Sequence, residues 1–154
     1  MKKVLSLMLV LALVLSMAAC GGKKEAAVSM DVNAVYESYV QYLPDMFFPD
    51  EATLMNFLGI KTEDCAQYKV AICAVGLQAD EVWLIEAKDA EALERLQNLA
   101  NVRIESKLDE TRTYVPDQYL VVQKAQVLTK GLYLALFISP DVDAMKATFE
   151  AAFN

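Results

Sequence analysis

The spacing of apolar residues predicts two helices at the start of the folded part of the chain. From Asp31 to Leu43 apolar residues recur at steps of three and four, which is typical of an amphipathic helix, and Pro44 ends it. A second, short helix has Asp50 as its N-cap and Gly59 as its C-terminal stop. The intervening Met46-Phe47-Phe48-Pro49 is predicted to be a loop that is buried against the core or, alternatively, exposed as a contact site.

Two pairs of β-like segments predict two hairpins. The segments 68–77 and 81–88 are rich in Val, Ile and Trp, and Gln78-Ala79-Asp80 separates them. The segment 127–139 predicts a second hairpin that turns at Lys130-Gly131. One face of its last strand carries a row of apolar side chains: Leu132, Leu134, Leu136 and Ile138.

A long helix lies between the two hairpins, and another helix follows the second. Asp89 can cap the segment from Ala90 to Thr113, which Pro116 interrupts. Apolar residues of this segment face one way: Leu93, Leu96, Ala100 and Ile104. Ser139 as N-cap and Pro140 at the first helical position predict the start of the final helix.

This order of elements predicts the fold class. We expect an α+β domain with a four-stranded, mainly antiparallel sheet made of two hairpins, a long central helix, a C-terminal helix and two N-terminal helices. Tyr133 and Phe137 alternate with the leucine face of the last strand, so the second face of the sheet also needs an apolar cover. The N-terminal helices are the expected cover. If they cover this face only partly, an apolar groove for a ligand or peptide remains.

The first residues predict export from the cytoplasm and attachment to a membrane. Residues 1–19 have the charged, apolar and small-residue regions of a signal peptide, and their apolar run is shorter than the about 20 residues that span a bilayer. Met17-Ala18-Ala19-Cys20 resembles a bacterial lipobox, so we expect a lipid on Cys20 and a location on the extracytoplasmic face of the cell membrane. The alternative is a plain secreted protein. Residues 20–30 then form a flexible tether, and residues 31–154 form a single domain.

The charge of the chain limits the choice of partners. The net charge is −7 at pH 7, and removal of Lys2 and Lys3 with the signal leaves 12 basic against 21 acidic residues, or about −9. Nucleic acid is therefore not an expected partner. Neutral or cationic partners fit this charge better, unless the acidic excess serves only to keep a tethered domain soluble.

The composition gives no support for catalysis. The chain has no histidine, which excludes histidine triads, imidazole bases and histidine metal ligands. Motifs for serine nucleophiles and Gly-rich phosphate loops are absent, and the paired carboxylates do not have the spacing of a calcium loop. We therefore expect no enzymatic activity, no metal and no cofactor, and a histidine-independent hydrolase is the remaining enzymatic alternative.

Four segments of the second half carry a family resemblance. They are residues 80–88 (Asp-Glu-Val-Trp-Leu-Ile-Glu-Ala-Lys), the long helix with Arg103, residues 114–119 (Tyr-Val-Pro-Asp-Gln-Tyr) and residues 130–133 (Lys-Gly-Leu-Tyr). This pattern resembles the bacterial lipoprotein family catalogued as domain of unknown function 4358. The resemblance implies an extracytoplasmic anchor and a compact domain, and it brings no known activity, cofactor or catalytic residue.

The bend at Pro116 is the candidate binding site of the sequence. Proline at this position ends the long helix and turns the residues beside it around one corner. Together with an arginine from the helix, they offer aromatic walls, an amide and a fork-shaped cation that can pair with a carboxylate or an anionic ligand. The candidate residues are Arg103, Tyr114, Asp117, Gln118 and Tyr119. The alternative is a structural helix-to-strand corner whose tyrosines and Asp117 hydrogen-bond to nearby backbone.

Two cysteines remain once Cys20 carries a lipid. Outside the cytoplasm, Cys65 and Cys73 can form a disulfide only if the chain reverses between them, since a continuous strand keeps their Cα atoms more than about 7 Å apart. A cysteine nucleophile has no histidine to activate it.

Two non-enzymatic functional hypotheses remain beside the histidine-independent hydrolase. The first is a non-enzymatic binding or adapter domain that binds an envelope protein or a cell-wall component. The second is a small-molecule binder that uses the apolar groove or the corner from Tyr114 to Tyr119. A binder of small molecules needs a concave pocket of at least about 300 Å³ with convergent polar groups, whereas an adapter needs an exposed apolar patch.

Overall fold

The structure, a computed structural model, describes residues 29–153. The predicted signal peptide, Cys20 and most of the predicted tether lie outside the described residues. Met30, which the sequence assigned to the tether, is buried, and its amide donates to the Tyr133 hydroxyl at 3.0 Å. The folded domain therefore includes Met30. None of the helices within the described residues is long and apolar enough to cross a membrane.

In the described part of the chain, five antiparallel strands form the middle layer of the domain. They are β1 (Met46–Phe47), β2 (Cys65–Cys73), β3 (Glu81–Ala87), β4 (Gln126–Lys130) and β5 (Tyr133–Ile138). Their order in the sheet is β1-β2-β3-β5-β4, and every neighbouring pair is antiparallel. The predicted α+β class is confirmed, whereas the predicted number of four strands was wrong.

The additional strand is β1, which lies where the sequence predicted a loop. Met46 lies opposite Cys73, and Phe47 lies opposite Ile72, at the end of β2. A segment this short does not show the alternation that marks a strand in a sequence. Its pairing comes from tertiary contact, so the chain itself carries no local signal for it.

Within residues 29–153, five helices pack on the sheet. They are α1 (Val32–Glu37), α2 (Glu51–Thr53, continued by a π turn over Leu54–Leu58), α3 (Ala90–Tyr114), α4 (Pro116–Val122) and α5 (Val142–Ala151), and there are 3-10 turns at Val40–Tyr42 and Thr62–Asp64.

Local capping fixes the start of α2 and α3 where the sequence predicted it. The Asp50 carboxylate accepts from the Thr53 amide, and the Asp89 carboxylate accepts from the Ala92 amide, both at 2.8 Å. Gly59 ends the π turn with φ +73°, a left-handed conformation that an L side chain strains to adopt.

Three helix boundaries differ from the prediction. The first helix ends at Glu37, and the 3-10 turn follows it, rather than one helix running to Leu43. Pro116 follows the end of α3 and is also the first residue of α4. A proline is tolerated at the first helical position because an amide there has no hydrogen-bond partner within the helix. Asp141, not Ser139, is the N-cap of α5, and the Ser139 hydroxyl accepts from the Asp141 amide at 3.2 Å.

The two faces of the sheet bury different side chains. One face packs against α2, α3 and α4, and its core contains Trp83 and the leucines of β5. The other face packs against α1 and α5, and Tyr39, Phe137 and Phe149 lie at its centre. Both faces are therefore covered, and Tyr133 and Phe137 are buried. The sequence predicted an apolar groove beside β5 if this face were only partly covered. These aromatic side chains fill that space.

Candidate functional site

The most polar part of the core is a closed cluster around Glu81. This residue is 0% exposed, and its carboxylate accepts hydrogen bonds from Arg103 Nε at 3.0 Å and Arg103 Nη2 at 2.8 Å. Trp83 Nε1 donates to the same carboxylate at 2.8 Å, and the Lys107 ammonium lies 3.8 Å from it. We call Glu81, Trp83, Arg103 and Lys107 the Glu81 cluster.

Two elements bring the cluster together. Glu81 and Trp83 point to the same face of β3 because they are two residues apart on a strand. Arg103 and Lys107 are four residues apart on α3, so they lie one turn apart on its inner side. The buried stripe of α3 is apolar as far as Ala100 and then becomes polar, which places two cations over the start of β3.

The cluster is satisfied within the protein. Burying a carboxylate is costly unless hydrogen bonds and opposite charge compensate it, and Arg103 and Trp83 supply these. The outer face of the Arg103 guanidinium lies 4.8 Å from the centre of the Phe57 ring. Burial also raises the pKa of the neighbouring Asp80 carboxyl, and a hydrogen bond from Ser139 partly opposes this rise.

The five candidate residues of the sequence do not meet in one pocket. Arg103 was expected to pair with a carboxylate or to receive an anionic ligand. It pairs with the carboxylate of Glu81. The Gln118 side chain accepts from the Ala79 amide at 2.8 Å, so it bonds to the protein backbone. Tyr114 is 81% exposed, and Asp117 is exposed on α4. Tyr119 is half-buried, with the Arg112 guanidinium 5.7 Å from its ring centre.

The two cysteines of the described residues are free thiols. Cys65 and Cys73 lie at opposite ends of the continuous strand β2. Eight steps of extended chain separate their Cα atoms by about 26 Å, which is far beyond the reach of a disulfide. The bridge that the sequence left open is therefore not formed. Burial raises the pKa of the Cys65 thiol to about 11, so this thiol is protonated at neutral pH.

Two adjacent phenylalanines are exposed at the edge of the sheet, beside β2. Phe47 and Phe48 are each 48% exposed, and we call this pair the aromatic edge. Burial against the core was the expectation for these side chains, and it was wrong because β1 lies at the edge of the sheet, where neighbouring side chains leave part of each ring uncovered. Phe48 is nevertheless held in place by Tyr36, with ring centres 5.5 Å apart, and by the Lys69 ammonium, 4.0 Å from its ring centre.

A wide cleft borders α2. Its volume is about 950 Å³, and it lies open to solvent between α2 and the 3-10 turn that precedes β2. Three carboxylates (Asp50, Glu51 and Glu63) and one cation (Lys61) line it together with apolar side chains such as Met55. The Asp50 carboxylate is already used as the cap of α2, and its hydrogen bonds with Thr53 lower its pKa. No group of three metal-ligating side chains occurs within residues 29–153.

Sequence reasoning missed Trp83 and Lys107, and it gave exposure of the aromatic edge only as the alternative to burial. The step of four residues from Arg103 to Lys107 was a signal for a cationic inner face on α3. Nothing local indicates that Trp83 donates to Glu81, because that contact depends on how the cluster is buried.

Comparison with known proteins gives one match. The family model described as domain of unknown function (DUF4358) matches residues 41–139, which include the aromatic edge and the Glu81 cluster. No curated protein and no solved structure matches the chain. The matched segment covers more than half of the sequence and confirms the resemblance to domain of unknown function 4358. The chain belongs to the DUF4358 family.

Proposed function

We propose that this protein is a lipid-anchored, non-enzymatic binding domain that holds a partner protein at the extracytoplasmic face of the cell membrane through the aromatic edge. The observation that carries this proposal is the exposure of Phe47 and Phe48, two adjacent large apolar side chains at a sheet edge. Aromatic residues are enriched at protein interfaces, where they form the buried anchors. Covering the exposed half of each ring contributes about 1 kcal/mol to binding by area alone.

The location rests on the sequence. The lipobox-like segment before Cys20 supports lipidation, and the apolar run before it supports export. The mature chain is acidic, so a lipid rather than a basic surface is the means of attachment that fits its charge. Anchoring also confines the domain near the membrane, which raises its effective concentration toward an envelope partner.

The polar groups of the described residues favour binding by surface contact over chemistry in a pocket. The carboxylate of Glu81 and the guanidinium of Arg103 neutralise each other inside the core. Tyr114 and Asp117, which could flank a ligand at the corner, are exposed without converging on a shared cavity. The alternative is that the protein binds a cell-wall component or a small ligand instead of a partner protein.

Site-specific photocrosslinking tests this proposal in the native membrane. The photoreactive residue p-benzoylphenylalanine replaces Phe48 in the full-length, lipidated chain, and the matched control replaces Leu120, which is similarly exposed on α4. We expect position 48 to give one predominant crosslinked protein that position 120 does not give, and Cys20→Ala to abolish it. Absence of a crosslink at position 48, or the same products from both positions, would overturn the proposal.

The cleft beside α2 supports a second candidate function. Its volume of about 950 Å³ is large enough for a small molecule, and the excess of three carboxylates over one lysine in its lining favours an organic cation with an apolar part. A thermal-shift screen of such cations, on the wild-type chain and on Glu51→Gln, tests this candidate. Stabilisation that is weaker in Glu51→Gln supports it, and equal or absent stabilisation contradicts it.

A further inference from the structure

The backbone of β1 has one side that faces away from the sheet. The Ala74 amide donates to the Asp45 carbonyl at 2.9 Å, and Met46 lies opposite Cys73. Because hydrogen-bonded and non-hydrogen-bonded pairs alternate along antiparallel strands, the backbone groups of Met46 point outward, and the same alternation continued one residue past β1 directs those of Phe48 outward. Within residues 29–153 no strand pairs with that side of β1. The edge therefore offers two amides and two carbonyls to an incoming strand.

Prolines limit the length of this open edge. Pro44 and Pro49 stand on either side of the segment Asp45–Phe48, and neither has an amide hydrogen to donate. Short edges bounded by proline resist open-ended pairing between copies of a protein. The edge can still pair with a few residues of an extended segment.

The side chains of Met46, Phe47 and Phe48 lie on both faces of the sheet. Met46 packs against the core beneath α1 and α5, and Phe48 packs on Tyr36 of α1, so both point to that face of the sheet. Phe47 alternates with them and points to the opposite face. An extended segment beside β1 would therefore contact an aromatic ring on each face. Tyr36 and Lys69 already hold the Phe48 ring, which lowers the entropy lost on binding.

The charge around the aromatic edge selects the partner. Asp45 and Asp50 flank the two phenylalanines in sequence, Glu37 adjoins Tyr36, and all three carboxylates are exposed. The nearby cation, Lys69, lies on the rings of Phe48 and Tyr36. An acidic rim attracts a cationic segment and repels an anionic lipid surface.

From these features we propose that the aromatic edge binds a short, extended, positively charged segment of the partner protein, which adds to the sheet as a sixth strand outside β1. This inference rests on the proposed function, because it names how the same surface is used. The main chain of the segment supplies hydrogen bonds, its alternate side chains contact Phe47 and Phe48, and its cations pair with the acidic rim.

Peptide selection on the lipidated chain in detergent tests the inference. The probe is a library of random heptapeptides, and the two variants to compare are Met46→Pro and Met46→Ala. Both remove the Met46 side chain, but only Met46→Pro also removes the outward amide. We expect the selected peptides to be basic, with alternating apolar residues, and to bind Met46→Pro about tenfold more weakly than Met46→Ala.

Hydrogen exchange on the wild-type chain gives a second readout that does not depend on how well Met46→Pro folds. We expect peptide binding to protect the amides of Met46 and Phe48, while the amides of β4, at the opposite edge of the sheet, keep their exchange rates. Selected peptides that are acidic, a library that yields no binder, or binding without protection of these amides would each overturn strand addition.

The outcome also separates this inference from the proposed function. A crosslink from position 48 together with unprotected Met46 and Phe48 amides retains the aromatic edge as the contact surface and rejects strand addition. Loss of both the crosslink and the peptide binding rejects the two together.

Discussion

The Glu81 cluster and the aromatic edge show opposite relations between a side chain's chemistry and its exposure. Glu81 and Arg103 are charged groups of the kind that bind ligands, yet the protein buries them against each other. Phe47 and Phe48 are apolar groups of the kind that build a core, yet the sheet edge leaves half of each exposed. In this domain the buried pair of Glu81 and Arg103 therefore belongs to the fold, and we assign binding to the exposed aromatic edge and its acidic rim.

Removing the carboxylate of the cluster has the largest expected effect on stability. Glu81→Ala leaves the Arg103 guanidinium and the Lys107 ammonium in the core without their counter-charge, which costs about 3–5 kcal/mol. Urea unfolding followed by far-ultraviolet circular dichroism measures the loss. The double variant Glu81→Leu/Arg103→Met is the control, and we expect it to be less destabilised than the single variant. A loss below about 1 kcal/mol in Glu81→Ala would show that the cluster is not needed for stability.

Removing one donor from the cluster has a smaller expected effect. Trp83→Phe keeps an aromatic ring in the core but deletes the Nε1–H that donates to Glu81 at 2.8 Å. The lost hydrogen bond and the smaller ring together cost about 2 kcal/mol. The same urea series measures this cost. If Trp83→Phe were as destabilising as Glu81→Ala, ring packing rather than the charged cluster would dominate this face of the sheet.

The neighbouring carboxyl of Asp80 predicts a pH dependence. Burial raises its pKa in the folded state, so the folded state binds its proton more tightly than the unfolded state does, and this group lowers stability as pH rises through that range. Asp80→Asn removes the titration and keeps an oxygen that can accept from Ser139. We expect the variant to gain stability relative to wild type as pH rises from 3 toward neutrality. A difference that is constant with pH would contradict this assignment.

The smallest expected effects on stability lie at the aromatic edge and at the α3–α4 corner. Phe47→Thr removes a half-exposed ring and introduces threonine, which suits an edge strand. We therefore expect it to lower the free energy of unfolding by less than about 1 kcal/mol. Tyr114→Ala removes an 81% exposed side chain, so it changes stability by less than about 0.5 kcal/mol. Thermal unfolding of the two variants beside wild type measures both. A large loss in Phe47→Thr would mean that this ring is a structural element of the domain.

The sequence predicts best those elements that local chemistry determines. The start of α3 was predicted because Asp89 caps it, and the hairpin of β4 and β5 was predicted from the turn at Lys130-Gly131 and the alternating apolar residues that follow it. Pro116 was interpreted as a break, since a proline that interrupts a helix and one that opens the next look alike in a sequence.

The candidate site was harder to predict because it depends on tertiary contacts. Arg103 was identified as a residue able to pair with a carboxylate, but the sequence did not show that its partner is the buried Glu81. The exposure of Phe47 follows from the position of β1 at the sheet edge, which depends on its pairing with Ile72. Apolar residues at an edge have the same local pattern as apolar residues in a core.

Partner capture by matched variants in native membranes tests the central claim most directly. Phe47→Thr and Tyr114→Ala are each introduced into the full-length, lipidated chain, and chemical crosslinking followed by mass spectrometry quantifies the captured partner relative to wild type. The account predicts that Phe47→Thr loses most of the capture and that Tyr114→Ala retains it. Capture that survives Phe47→Thr, or that is lost in Tyr114→Ala, would contradict the assignment of binding to the aromatic edge.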